Sequence, residues 1–265
     1  MYNFAYHRPS NLAEAEAALK AASDGKLLAG GQTLLPTLKQ RLASPTDVID
    51  IGRIAELSGI AAGGDSITVG AGTRHAQVAS SADVKSKIPA LAHLASLIGD
   101  PQVRNLGTIG GSIANNDPAA DYPAALVGLG ATVTTTRRSI TADDFFQGLF
   151  ETALDDDEII KSVSFPVPEK AGYAKFPQPA SRFALVGVFV AQTSGGARVA
   201  VTGAGPCVFR VEAMEQALAG NFAASALDGI SVPDSGLNSD IHGSAEYRAH
   251  LVGVMAKRAV DAANG

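Results

Sequence analysis

One stretch of the chain, from Asp100 to Leu126, restricts the possible folds more than any other. It contains a Thr-Ile-Gly-Gly turn at Thr108–Gly111, followed by small residues, two Asn, two Asp and an apolar run. A helix or strand of this length would repeat its apolar residues every 3.6 or 2 positions, and this segment shows neither period. We therefore expect its backbone to lie against a group that is not protein.

A second glycine pair, Gly30-Gly31, ends a short strand predicted at 26–29 and precedes a helix that Thr33 is expected to cap. With a further strand predicted at Asp47–Ile51, this region reads as a βαβ unit. Glycines at such a turn let the backbone approach a ligand, and free N–H groups there can bind an anion. Taken alone, the sequence Ala29–Thr33 fits an ordinary strand-to-helix turn better, because such turns are far commoner than phosphate loops.

Two glycine turns in one chain favour a diphosphate ligand, because each loop can hold one phosphate. The first loop is Ala29–Thr33 and the second is Thr108–Ser112, which has a hydroxyl on either side of its glycines. Asn115 and Asp121 are candidates to accept hydrogen bonds from ribityl hydroxyls, whereas Asn116-Asp117 is typical of a solvated turn. The combination predicts the diphosphate and ribityl part of a flavin.

The composition limits the partners and the redox chemistry. The 265 residues carry a net charge of −5, and no basic run is longer than Arg137-Arg138, which argues against nucleic acid. The one cysteine, Cys207, cannot build a zinc site or an iron–sulfur cluster. We find no signal-peptide pattern and no apolar run long enough to cross a bilayer, so we expect a cytoplasmic protein without a transmembrane segment.

The pattern of predicted elements restarts after the Pro-rich stretch 166–179, which is the expected domain boundary. Beyond it we predict strands at 183–191 and 197–202 and helices at 208–218 and 245–262. Gly203-Ala204-Gly205 follows a strand, as in a dinucleotide fingerprint. Val208 stands where that motif needs Gly or Ala, so we interpret this glycine pair as a structural turn.

Several motifs together resemble the FAD-binding medium subunit of molybdenum hydroxylases, in the xanthine dehydrogenase family and similar to aerobic carbon monoxide dehydrogenase. The resemblance covers nearly the whole chain. Its motifs are Phe4-x-Tyr6-His7-Arg8-Pro9, Ala29–Thr33 followed by Leu-Leu-Pro, Asp100–Gly111, Asp121-Tyr122-Pro123-Ala124, Gly205-Pro206…Arg210 and Ala245-Glu246-Tyr247-Arg248…Met255…Arg258-Ala259-Val260.

The resemblance implies an α+β fold with two domains. Residues 1–167 would form a two-part FAD-binding domain of the vanillyl-alcohol-oxidase (PCMH) type, with subdomains at about 1–53 and 54–167. Residues 168–265 would form a small C-terminal α+β domain with a three-stranded antiparallel sheet and helices, like the C-terminal domain of the carbon monoxide dehydrogenase flavoprotein.

The resemblance also implies the cofactor contacts. It assigns FAD to Ala29, Gly30, Gly31, Gln32, Thr33, Leu34, Thr108, Ile109, Gly110, Gly111, Ser112, Asn115 and Asp121, with Lys175 as a further candidate. The sequence departs from the family after Lys175, where Pro177-Gln178-Pro179 replaces a basic run near the expected acceptor entrance. No catalytic or metal-ligating residue is assigned to this chain.

The implied partners are a small subunit with two [2Fe–2S] clusters and a large subunit with the molybdenum cofactor, as a dimer of heterotrimers. The favoured hypothesis is an electron-transfer subunit that takes electrons from those clusters and passes them to an external acceptor. A stand-alone flavin-dependent oxidoreductase acting directly on a small substrate is the alternative. A scaffold that has lost its flavin is a third possibility, which the intact glycines oppose.

Overall fold

A computed structural model describes residues 1–265 as an α+β protein built from three main sheets and their helices. The α+β class predicted from the sequence is confirmed. No helix combines the length and the apolar character that crossing a membrane requires.

The first part is a three-stranded parallel sheet in the order β1-β3-β2. Its elements are β1 (Ala5–His7), α1 (Leu12–Ala21), β2 (Gly25–Leu28), α2 (Leu34–Lys39) and β3 (Asp47–Asp50). Asn11 caps α1 by accepting a hydrogen bond from the Glu14 N–H, as its sequence pattern predicts. The βαβ unit β2-α2-β3 is likewise confirmed, and all three strands end at the same edge of the sheet.

Two local predictions in this part were wrong. A glycine just past a helical pattern commonly ends the helix, which predicts that Gly25 stops α1; α1 instead ends at Ala21 and Gly25 begins β2, where a side chain would stand 2.9 Å from Leu19 Cδ1. Thr33 does not cap α2, because its backbone is already helical (φ −108°, ψ −52°) and its side chain makes no cap bond. The start of α2 therefore keeps unpaired N–H groups.

The second part contains a five-stranded sheet in the order β4-β5-β10-β6-β7, which shares one hydrophobic core with several small helices. Its elements are β4 (Ile60–Ala62), β5 (Ser66–Gly70), α3 (His75–Ser80), α4 (Ala82–Lys87), α5 (Pro89–Ser96), α6 (Pro101–Leu106), α7 (Ile109–Asn115), α8 (Tyr122–Leu129), β6 (Thr132–Thr135), β7 (Ser139–Thr141), α9 (Ala142–Phe145), β8 (Phe146–Gly148), β9 (Glu151–Thr152) and β10 (Ile160–Pro166). Gly63-Gly64-Asp65 between the apolar runs 60–62 and 67–69 predicts a hairpin, which β4-β5 confirms.

Most of the stretch from Asp100 to Leu126 is helical, which its lack of periodicity did not predict for α6 and α7; the apolar run from Tyr122 to Leu129 is typical of a buried helix and forms α8. Asp100 caps α6, and Thr108 caps α7 through a bond from the Gly111 N–H. Each of these helices has only six or seven residues, too few to repeat an apolar face. Helix α8 is buried on every side, so it shows no polar face either.

The C-terminal part is a sheet in the order β11-β12-β13-β14 between helices. Its elements are β11 (Lys170–Pro177), β12 (Ala184–Thr193), β13 (Gly196–Thr202), β14 (Phe209–Arg210), α10 (Glu212–Gly220) and α11 (Ala245–Asn264). The three predicted strands gain a two-residue fourth, because Phe209 and Arg210 pair with β13 instead of opening the predicted helix.

The C-terminal sheet joins the rest of the molecule through one face. On that face Phe189 packs against α8, where a side chain at Gly128 would stand 2.7 Å from Phe189 Cδ1. The other face packs against α10 and α11, with Val188, Met214 and Met255 in the core. Helix α8 is therefore shared between both halves of the molecule.

Candidate functional site

Six consecutive backbone N–H groups, from Ala29 to Leu34, donate to no acceptor in the chain. They follow the carboxyl end of β2 and continue into the first turn of α2. Gly31 has a φ of +71°, a left-handed conformation that glycine adopts at little cost. Successive free amides carry positive partial charge and form the type of concave loop that binds phosphate oxygens.

The two glycine loops predicted from the sequence lie against each other. A Cβ atom at Gly30 would stand 2.2 Å from the Leu106 carbonyl oxygen and 2.7 Å from Gly107 Cα. A Cβ atom at Gly111 would stand 3.9 Å from Ala29 Cβ, with only Thr108 Oγ1 nearer. Gly30 therefore permits the contact between the loops, and Gly111 leaves open the space between them.

The second loop does not supply free amides, contrary to the sequence interpretation. The N–H groups of Ile109 and Gly110 donate to the carbonyl oxygens of Thr73 and Ala71, at 3.1 and 2.8 Å. The Gly111 N–H donates to Thr108 Oγ1 at 3.2 Å. The bonds of Ile109 and Gly110 attach the start of α7 to the segment that follows β5. What the loop offers a ligand is its bare glycine surface and the Ser112 hydroxyl.

Ser112 and Asn115 lie on α7 with partly exposed side chains that make no hydrogen bond within the chain. Asn115 is the last residue of this seven-residue helix, so it lies about 10 Å along the helix axis from Thr108, where the loop begins. Both side chains can therefore donate to or accept from a ligand laid along α7.

Asn116 is not the solvated turn residue that its sequence indicated. It is 1% exposed and left-handed, with φ +42°. Its side-chain amide donates to the carbonyl oxygens of Gly148 and Glu151, both at 2.8 Å, and approaches Cys207 Sγ at 3.5 Å. A buried amide with these partners anchors the β8-β9 hairpin. Asp117 does follow the turn expectation, accepting a bond from the Ala119 N–H.

Asp121 and Lys175 are held by each other. Lys175 Nζ lies 2.9 Å from Asp121 Oδ2, and Tyr173 donates its hydroxyl to Asp121 Oδ1 at 2.6 Å. Burial raises the pKa of the Asp121 carboxyl, while Lys175 and Tyr173 oppose that rise. The structure thus brings these two predicted site residues together, as a buried link between the start of α8 and β11.

A buried pair that the sequence did not reveal lies beneath the second loop. The rings of His75 and Tyr122 are 5.4 Å apart, and neither His75 Nδ1 nor the Tyr122 hydroxyl has a hydrogen-bond partner. Burial, with a smaller effect of Arg104, lowers the pKa of His75 to about 4. A Cβ atom at Gly107 would stand 2.6 Å from His75 Nε2, so a neutral imidazole supports the loop from below.

Two family profiles match adjacent parts of the chain. The family described as "FAD binding domain in molybdopterin dehydrogenase" matches residues 2–168, and the family described as "CO dehydrogenase flavoprotein C-terminal domain" matches residues 171–263. The chain belongs to the family of FAD-binding medium subunits of molybdenum hydroxylases, which includes carbon monoxide dehydrogenase and xanthine dehydrogenase.

Similar proteins cover nearly the full length of the chain. It is 37% identical to the carbon monoxide dehydrogenase medium chain of Hydrogenophaga pseudoflava, over 98% of this chain and 96% of that protein. It is 36% identical to the nicotine 6-hydroxylase medium subunit of Paenarthrobacter nicotinovorans, over 96% and 95%. A solved structure of the Hydrogenophaga pseudoflava enzyme, in a form lacking the Mo-pyranopterin moiety, superposes with a TM-score of 0.88 at 39% identity, over 98% and 97%.

Family membership establishes the class of chemistry. The chain is an oxidoreductase subunit and its cofactor is FAD. The residues present fit this cofactor, because the unpaired amides of Ala29–Leu34 suit a diphosphate and Gly111 keeps the facing surface free of side-chain atoms. The relatives are named as medium chains or subunits, that is, as parts of larger enzymes.

Proposed function

We propose that this chain is the electron-transfer subunit of a molybdenum hydroxylase. It takes electrons from two [2Fe–2S] clusters of a small partner subunit and passes them to an external acceptor. The substrate is oxidised at the molybdenum cofactor of a large partner subunit. The observation that carries the proposal is the run of six free amides from Ala29 to Leu34 beside the second glycine loop.

The amides of Ala29, Gly30, Gly31, Gln32, Thr33 and Leu34 hold the diphosphate in this proposal. Their partial charges favour the anion, and no carbonyl in the chain competes for them. Thr108, Ile109, Gly110 and Gly111 shape the opposite wall, and Ser112 and Asn115 contact the cofactor along α7. Free amides gain acceptors when a diphosphate binds, which favours the bound state.

Asp121 and Lys175 act on the same cofactor from the domain junction. Asp121 already accepts a hydrogen bond from Tyr173 on one carboxylate oxygen and from Lys175 on the other. A ribityl hydroxyl that donates to Asp121 therefore shares one of these two oxygens with a protein donor. The ammonium of Lys175 is 3% exposed and held by Asp121 and the Leu97 carbonyl oxygen. A fixed positive charge there would stabilise negative charge that develops on a nearby bound group.

Bound FAD supplies a carrier that accepts electrons singly and holds two of them. The chain contributes no cluster of its own, since its single cysteine cannot ligate one. We infer that its residues bind and orient the flavin and set its environment. The substrate is then chosen by the large subunit, in keeping with relatives at 37% and 36% identity that are named for carbon monoxide and for nicotine.

The proposal also covers the domain boundaries of the chain and the assembly of the complex. It places the FAD-binding domain at residues 1–167, with subdomains at about 1–53 and 54–167, and the C-terminal domain at 168–265. It also includes assembly as a dimer of heterotrimers in the cytoplasm. Light scattering of the purified complex measures this stoichiometry directly.

The test is to purify the complex with its partner chains and follow flavin and cluster absorbance after rapid mixing with reductant supplied at the molybdenum subunit. We expect cluster reduction first and flavin bleaching afterwards. Flavin that stays oxidised while the clusters are reduced would contradict electron transfer. Reduction of the isolated chain by a small substrate, without partners, would instead establish a stand-alone oxidoreductase.

A further inference from the structure

The tip of the β8-β9 hairpin presents two large apolar side chains to solvent. Leu149 and Phe150 form the two-residue turn between paired Gly148 and Glu151, and they are 58% and 57% exposed. Isolated exposed apolar residues are common on protein surfaces. Two adjacent ones on a hairpin turn form a projecting apolar knob.

The knob is held in a strained conformation. Phe150 has φ +55°, at a turn position where glycine is usual and a bulky residue is costly. Its N–H donates to the Asn116 carbonyl oxygen at 3.3 Å, while the Asn116 side chain binds the carbonyl oxygens on both sides of the turn. Asn116 is itself left-handed, so two unfavourable backbone conformations are maintained together. Strain of this kind persists only where surrounding contacts impose it, and it concentrates at functional sites.

Two carboxylates without an ion pair flank the knob along the chain. Glu151 follows it directly and forms no ion pair, and Asp144 precedes the hairpin without a cationic partner. Farther along, Asp143 is paired with Arg198. A surface that covers the knob therefore needs an apolar socket with basic residues at its rim.

The position of the knob relates it to the cofactor loop. Asn116 directly follows α7, which begins in the second glycine loop, so the hairpin is attached about 6 Å along the helix axis from Ser112, where that loop ends. A partner that binds the hairpin is consequently held beside the second glycine loop, which forms one wall of the proposed flavin site. Of the partners in the proposed function, the iron–sulfur subunit is the one that must lie next to the flavin.

We propose that the Leu149–Phe150 knob docks the iron–sulfur partner subunit, in an apolar socket rimmed by basic side chains. This inference rests on the proposed function. The strained turn orders the knob before association, which lowers the conformational entropy lost on binding.

The experiment compares the assembled complex with the variant Leu149→Ser/Phe150→Gly. Glycine relieves the positive φ, so the isolated variant should unfold at the same temperature as the parent chain or higher. Its FAD content should be unchanged, while its affinity for the iron–sulfur subunit should fall at least about tenfold. Ile241→Ser is the matched control, because Ile241 is 96% exposed and lies outside the hairpin, in the segment before α11.

A second variant, Glu151→Lys, tests the charge of the rim. Its association rate with the iron–sulfur subunit should fall, and the difference from the parent chain should shrink as salt is added. Unchanged affinity of the knob variant would overturn the inference. So would a knob variant that changes only self-association of this chain, or only its reaction with the external acceptor. Loss of FAD in the parent chain would contradict the proposed function instead.

Discussion

Lys175 Nζ lies 2.9 Å from Asp121 Oδ2 in a contact that joins β11 of the C-terminal sheet to the start of α8. The two side chains are 3% and 4% exposed. Tyr173 completes the link, and Gly187 makes room for it, since a Cβ atom there would stand 2.4 Å from the Tyr173 hydroxyl. Through these buried contacts the C-terminal domain holds in place the segment that connects the second glycine loop to α8.

Replacing Asp121 by Asn should destabilise the protein by about 3–5 kcal/mol, because it leaves a buried ammonium without its counter-charge. Urea unfolding of the FAD-loaded protein measures the change. Asp228→Asn is the control, since Asp228 pairs with Lys257 on the surface and its loss should cost less than about 1 kcal/mol. Equal effects of the two substitutions would show that the buried pair has no special role.

Gly30→Ala should lower both stability and FAD content. The added methyl group would meet the backbone of Leu106 and Gly107, which cannot rotate away, so the two loops must separate. We expect a loss of about 1–3 kcal/mol and weak flavin absorbance in the purified protein. Gly64→Ala is the control, because a Cβ atom at Gly64 meets nothing within 4 Å. Full FAD retention in Gly30→Ala would contradict a site built on contact between the loops.

Gly111→Ala separates cofactor binding from folding. The methyl group would enter the space facing Ala29, with a contact at 3.0 Å only to the Thr108 hydroxyl oxygen. Alanine favours the helix by up to about 1 kcal/mol, so the melting temperature of the apoprotein should not fall. The dissociation constant for FAD, measured by fluorescence quenching, should rise at least about tenfold. A variant that binds FAD normally would place the cofactor elsewhere.

His75 makes stability depend on pH. Its pKa is about 4 in the folded protein and near 6.5 when exposed, so the unfolded chain binds more protons between these values. The stabilisation is present above about pH 6.5 and is lost as the pH falls towards 4, by about 3 kcal/mol. His75→Gln should flatten the dependence of the unfolding free energy on pH in this window, and His93→Gln, at an exposed site, is the control for replacing a histidine. An unaltered slope in the His75 variant would assign the pH dependence to other groups.

Much of the fold could be predicted from local patterns. The Asn11 cap, the β2-α2-β3 unit and the β4-β5 hairpin all depend on neighbouring residues, and the structure confirms them. The segment from Asp100 to Leu126 was less predictable, because its short helices are fixed by caps and by contacts with distant backbone. The prediction that its glycine loop offers free amides was wrong, because the carbonyl oxygens of Ala71 and Thr73 accept hydrogen bonds from two of those N–H groups.

The sequence by itself determined the family, the two glycine loops and the absence of cysteine ligands for a cluster, since these depend only on which residues are present and at what spacing. Tertiary structure decided how those residues are used. Only folding brings Gly30 into contact with Leu106 and pairs Asp121 with Lys175, 54 positions further along the chain. Folding also lets the Asn116 side chain hold the β8-β9 hairpin by hydrogen bonds. Such contacts link residues far apart in the chain, so no local pattern of charge or hydrophobicity records them.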